Sequence, residues 1–168
     1  MNIALDHWHI EVSSICTLKC PRCTRSEIPE TLLNRSLDLK FFQEQIGQVR
    51  IEQIKKISFC GDDGDPIYAK QFLEIVQWIK HINPTLQLSI ITNGSYKKND
   101  WWETLATCTN EYDEIHWSLD GWDQESNSKY RVNCDWNSII NGISTFKKHN
   151  NSTYTVIATI AFRFNELC

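Results

Sequence analysis

The chain has 168 residues, 41% hydrophobic and 23% charged, which suits one ordinary globular domain with its own core and is short for two. Lys and Arg number 17 against 21 Asp and Glu, and a net charge of −4 offers no basic face to a nucleic-acid backbone. No apolar run approaches the roughly 18 residues of a membrane span and the N-terminus lacks a basic-then-apolar signal order, so a cytoplasmic protein without membrane partners is expected.

Residues 8–12 alternate apolar and polar, the mark of a half-buried first strand from which Glu11 either lines a cavity or faces solvent. Next comes the run Cys16-Thr17-Leu18-Lys19-Cys20-Pro21-Arg22-Cys23. Soft thiolates at C-x3-C-x2-C spacing read as metal ligands, and iron–sulfur clusters are held by such thiolates. Three of them on a cubane of four irons leave one iron open for chemistry. A zinc site completed by His7 or His9 uses the same residue types. The odd total of seven cysteines fits a disulfide framework poorly. Cys60, Cys108, Cys134 and Cys168 have no ligand spacing and read as small core or incidental residues.

Residues 39–49 carry Phe42, Ile46 and Val49 at helical spacing, with Ser36 or Asp38 as N-cap. Residues 57–60 form a short buried strand that runs into the acidic loop Gly61-Asp62-Asp63-Gly64-Asp65-Pro66. That loop lacks the twelve-residue frame and closing glutamate of a calcium site. Phe72, Ile75, Val76, Ile79 and Ile82 mark one face of a helix stopped by Asn83-Pro84. Residues 86–91 are a third strand ending in Thr92-Asn93-Gly94, and Asp100 caps a helix through Trp101, Trp102 and Leu105. Residues 115–119 are a fourth strand ending in Asp120-Gly121, with Trp117 and Ser118 on opposite faces. Asp135 caps a helix with Ile139, Ile140, Ile143 and Phe146 on one face, and residues 155–162 are the fifth strand. Strands alternating with helices at roughly 30-residue spacing imply a parallel α/β sheet with right-handed crossovers. The cysteine run and the loops at 61–66, 92–94 and 118–121 all follow strand C-termini, the edge where such sheets bind ligands.

These motifs resemble the radical SAM superfamily, and in particular its peptide-modifying, SPASM-type branch. Cys16, Cys20 and Cys23 match the cluster motif, with Arg22 where an aromatic residue is usual. The Gly61, Asp62, Gly64, Asp65, Pro66 segment resembles the family's Gly-Gly-Glu-Pro motif in a longer form, and glycine lets backbone carbonyls approach the methionine ammonium. Ser118 and Asp120 resemble the fourth-strand motif near the ribose and methionine carboxylate. Arg131, in a Tyr130-Arg131 pair, suits a carboxylate through bidentate bonding. Asn93 ends the third strand, and Asn165-Glu166 resembles a pair that opens the next helix, although the fifth-strand glycines that meet adenine are missing.

The resemblance implies a parallel-sheet, partial (βα)6-type TIM-like barrel, here truncated after the fifth strand and without a C-terminal auxiliary-cluster extension. It implies a [4Fe–4S] cluster and S-adenosylmethionine as cofactors, a flavodoxin or ferredoxin as reductant, and an unidentified substrate for which a peptide is the candidate. The expected activity is reductive cleavage of S-adenosylmethionine to a 5′-deoxyadenosyl radical, with no catalytic side chains needed beyond the cluster ligands. A truncated, non-catalytic relative that binds the cluster and a zinc-binding interaction domain are the alternatives.

Overall fold

Alternating apolar and polar positions give one parallel sheet its two faces, as seen in a computed structural model that describes residues 6–166. The strands are β1 (His7–Ile10), β2 (Lys56–Phe59), β3 (Gln87–Thr92), β4 (Glu114–Ser118) and β5 (Tyr154–Ala158). They pair in sequential order, every neighbour parallel, which is the topology of a partial TIM-like barrel. Ile57 and Phe59, Leu88 and Ile90, and Ile115 and Trp117 carry the face under the helices. The intervening residues are polar: Lys56 pairs with Glu114 at 2.8 Å across the other face, beside Ser58, Ser89 and His116.

The helices are α1 (Thr24–Glu27), α2 (Leu39–Phe41), α3 (Gln48–Gln53), α4 (Phe72–Ile82), α5 (Asn99–Cys108), α6 (Gln124–Ser128) and α7 (Trp136–His149). The expected helix over 39–49 is interrupted. After α2 the backbone widens into a π-turn over Phe42–Ile46 and breaks at Gly47, whose φ is 77°. Phe42 and Ile46 are still buried, but Val49 falls beyond the break and is 65% exposed. Asp38 is the cap, accepting from Phe41 N at 2.8 Å, whereas Ser36 bridges to Ser13.

Lys98, not Asp100, is the N-cap of α5; Asp100 lies inside the first turn, where its charge suits the helix dipole. Asp135 does cap α7, accepting from Ser138 N at 3.0 Å. Ile140 turns away from that helix's buried face, and the fifth strand ends at Ala158, short of residue 162. The sequence pattern did not anticipate α6, a short polar helix started by a capping box between Asp123 and Ser126.

Trp102 and Trp117, both fully buried, meet at 4.5 Å between ring centroids and join α5 to β4. Burial of such side chains contributes about 1.5–3 kcal/mol each. Gly142 on α7 makes room for this contact, since a Cβ there would sit 2.5 Å from Trp102 Nε1. At the N-terminal end of the sheet, buried Lys80 donates to Leu86 O and to Asp113 Oδ1, each at 3.0 Å, tying α4 to the starts of β3 and β4. Among the described residues no helix is long and apolar enough to cross a membrane. Cys168 lies outside the described residues.

Candidate functional site

The strand C-termini open into a cavity of about 220 Å³. Cys16, Cys20 and Cys23 line it from the loop after β1. Gly61, Gly64, Asp65 and Asn93 line it from the loops after β2 and β3, and Ser118 and Arg131 complete it from β4 and beyond. Residues more than 100 positions apart are thus gathered by the crossovers alone. Trp117 points the other way into the core, as alternation requires. The cavity does not take in Asp62, Pro66, Asp120 or Asn165.

Burial pushes the Cys16 thiol up to about 11, with the Asp65 carboxylate adding to the effect. Burial also raises Cys20, against the pull of the Arg131 guanidinium. Both therefore stay protonated at neutral pH until a metal replaces the proton, because metal ligation needs the thiolate. Among the described residues, no three His, Cys, Asp or Glu side chains gather tightly enough to hold a single ion. His7 is engaged with Ser58 at 2.9 Å, and His9 with Cys60, so neither completes a zinc site with the cysteine loop. A cubane asks for something else: thiolates that line one cavity and each meet a separate iron. Cys16, Cys20 and Cys23 do line one cavity.

Asp65 is a hub rather than a free ligand. Its Oδ2 accepts from Asn93 N at 2.7 Å and Asn93 Nδ2 at 2.5 Å, and its Oδ1 accepts from Thr92 Oγ1 at 2.9 Å and Ile67 N at 3.2 Å. Asn93 Nδ2 lies 3.6 Å from Cys16 Sγ, so this knot reaches the cysteine loop. Pro66 is buried at the start of the 3₁₀ turn that Asp65 caps. Burial outweighs the donors and pushes the Asp65 carboxyl up to about 6, from 3.8. The folded metal-free protein therefore holds a proton that the unfolded chain releases. The stabilisation is complete below pH ~4 and is lost as pH rises through about 6, an effect of about 3 kcal/mol. An NMR titration of the Asp65 carboxyl carbon should give a midpoint near 6; a midpoint below 4 contradicts this.

Asp120 is fully buried and spends its carboxylate inside the protein. Oδ2 accepts from Arg131 Nε at 2.5 Å and Oδ1 from Ile160 N at 2.7 Å. Its backbone carbonyl accepts from Asn165 Nδ2 at 2.9 Å, so Asn165 pins the chain after β5. Arg131, oriented by Asp120, is the member of this set that reaches the cavity. Tyr130 lines it too, with its ring 4.6 Å from Phe162. Asp62 is exposed, and what it turns toward Cys23 Sγ, at 4.0 Å, is its carbonyl.

Two contacts beside the cavity escaped the sequence. Glu11 neither lines this cavity nor simply faces solvent: its Oε1 accepts from Asp63 N at 2.6 Å and Gly64 N at 2.8 Å. Arg25 lines the cavity and donates to the carbonyls of Ser14 and, at 2.8 Å, Asp63. The only signal for either was a charged residue beside the cysteine loop and an acidic loop distant in sequence.

A family model described as the radical SAM superfamily matches residues 10–166. Comparison with curated proteins gives no match. Among solved structures, SuiB of Streptococcus suis bound to S-adenosylmethionine superposes with a TM-score of 0.72 at 18% identity, covering 96% of this chain and 36% of that one. SuiB bound to the precursor peptide SuiA gives 0.70 at 18% identity, covering 96% and 35%. The structure of anSMEcpe with bound AdoMet and Cp18Cys peptide gives 0.65 at 18% identity, covering 91% and 42%. At these identities the likeness is one of fold, and the chain spans little more than a third of SuiB.

Proposed function

The chain belongs to the radical SAM superfamily, whose cofactors are a [4Fe–4S] cluster and S-adenosylmethionine, and we propose that it cleaves S-adenosylmethionine reductively to start radical chemistry on a peptide. The observation that carries this reading is the gathering of three thiols, a glycine loop and two strand ends around one cavity. A cluster and S-adenosylmethionine bound there would supply the radical chemistry, an electron for the sulfonium and hydrogen abstraction from the substrate.

The residues serve that chemistry by holding and orienting. Cys16, Cys20 and Cys23 would hold the cluster. The Gly61–Pro66 loop offers carbonyls to the methionine ammonium, while Arg131, locked by Asp120, offers its guanidinium to the methionine carboxylate. Ser118 lies within the cavity for the ribose, and Asp65 and Asn93 fix the loop ends that frame it. Asn165 closes the structure behind Asp120.

A peptide substrate is supported by the fold shared with SuiB bound to its precursor peptide and anSMEcpe bound to a peptide. A low-potential flavodoxin or ferredoxin fits as reductant, and the free thiols of the described cysteines suit a reducing cytoplasm.

The test is anaerobic reconstitution followed by dithionite and S-adenosylmethionine. About four irons per chain and formation of 5′-deoxyadenosine are expected. A full cluster without 5′-deoxyadenosine establishes instead a non-catalytic cluster-binding relative, and zinc in place of iron overturns both.

A further inference from the structure

Glu11 is the one charged side chain of the first strand's extension that reaches into the glycine loop, 52 residues away. A single carboxylate oxygen accepts two successive backbone N–H groups, those of Asp63 and Gly64. Successive N–H groups that converge in this way form a nest for an anion, and here the anion is internal. In a trans peptide the carbonyl points opposite to the N–H of the same unit. Holding Asp63 N and Gly64 N toward β1 therefore turns the carbonyls of Asp62 and Asp63 to the far side. There, the Asp62 carbonyl faces Cys23 Sγ and the Asp63 carbonyl accepts from Arg25, a cavity residue.

The loop lies against the segment after β1 at close range. A Cβ on Gly61 would overlap the Gly64 carbonyl, and one on Gly64 would overlap the Ser13 carbonyl. Asp65 N also donates to Ile15 O at 3.0 Å. The glycines set how closely the loop lies on the segment after β1, and Glu11 sets how its peptide planes are rotated.

We propose that Glu11 is a positioning residue for S-adenosylmethionine: it fixes the peptide orientation that presents the loop carbonyls to the methionine end of the cofactor. This rests on the function proposed above, and it assigns Glu11 no contact with the reacting atoms. Glu11→Gln keeps an oxygen acceptor at the same reach, whereas Glu11→Asp withdraws it by one methylene.

Both variants and the wild type would be reconstituted and reduced. Each is then titrated with S-adenosylmethionine while the EPR signal of the reduced cluster is followed, with iron content measured alongside. Glu11→Asp should need about ten- to a hundred-fold more S-adenosylmethionine for half the spectral change, the size expected when a hydrogen bond to a charged group is lost. Its iron content should equal the wild type's. Glu11→Gln should stay within about three-fold, since only the charge assistance is lost.

A Glu11→Asp variant that responds at wild-type concentrations overturns the inference. So does one that loses iron in step with its response, which marks a purely structural role. A wild-type cluster blind to S-adenosylmethionine defeats the enzyme reading itself, and this inference with it.

Discussion

Replacing Cys20 by alanine is expected to abolish cluster assembly and 5′-deoxyadenosine formation together. Cys20 alone of the three residues is buried, and it sits beside Arg131 at the junction of the cysteine loop with the β4 side of the cavity. Two remaining thiolates would leave two irons of a cubane without protein ligands. Iron per chain should fall from about four to less than about one-tenth of that, and 5′-deoxyadenosine should drop to background. Cys108→Ala is the matched control. Its thiol bonds within α5 to Thr104 O at 3.0 Å, far in sequence from the cysteine run, so iron content should not change. Iron and sulfide analysis on both variants decides the matter. A Cys20→Ala protein that retains a full cluster removes the basis for reading Cys16, Cys20 and Cys23 as its ligands.

What could be read from the chain beforehand divides along a physical line. Strand order, the parallel sheet and the edge that carries the site follow from local periodicity and the handedness of crossovers, both of which act over tens of residues. Asp135 was legible as a cap, and Asp38 as one of two candidates with Ser36, because a cap acts over three residues, whereas Asp100 misled by two positions. The helix over 39–49 misled because its apolar spacing continues through Gly47, where the backbone takes a φ of 77° and the helix breaks. Ile140 misled because the face buried by α7 is set by where Trp102 meets Gly142, a tertiary contact. The short helix α6 has no apolar stripe at all; hydrogen bonds between Asp123 and Ser126 start it.

The site divides in the same way. The cysteines, Gly61, Gly64, Asn93, Ser118 and Arg131 were visible as motif residues and do meet in one cavity. The partner of each carboxylate was not visible. Asp65 and Asp120 are as buried as core residues, and each spends its carboxylate oxygens on protein donors, although Asp65 still forms part of the cavity wall. Glu11 and Arg25 depend on pairings across 52 and 38 residues that no local pattern announces. A motif tells which residue types are gathered; burial decides which of them are free to touch a ligand.

That distinction makes Asp120 the most consequential side chain outside the cysteine run. Its side chain is fully buried, and Arg131 beside it is 17% exposed, so the pair is largely removed from solvent. Removing one partner of such a pair strands the other charge and costs about 3–5 kcal/mol. Asp120→Ala also leaves Ile160 N without its acceptor, while the Asn165 bond to the backbone carbonyl of residue 120 survives. Because a domain's whole stability is about 5–15 kcal/mol, this single change should shift the urea midpoint strongly downward.

The Arg131→Ala variant and the double variant close a cycle. Arg131→Ala leaves a buried carboxylate that still accepts from Ile160 N, so it should cost less than Asp120→Ala. The double variant should cost less than the two singles summed, because neither charge is then left alone. A loss below about 1 kcal/mol for Asp120→Ala, or strict additivity, would mean that water reaches the pair and that Asp120 does not lock Arg131. In that case the guanidinium would swing free of the cavity wall, and its proposed hold on the methionine carboxylate would lose its geometric basis.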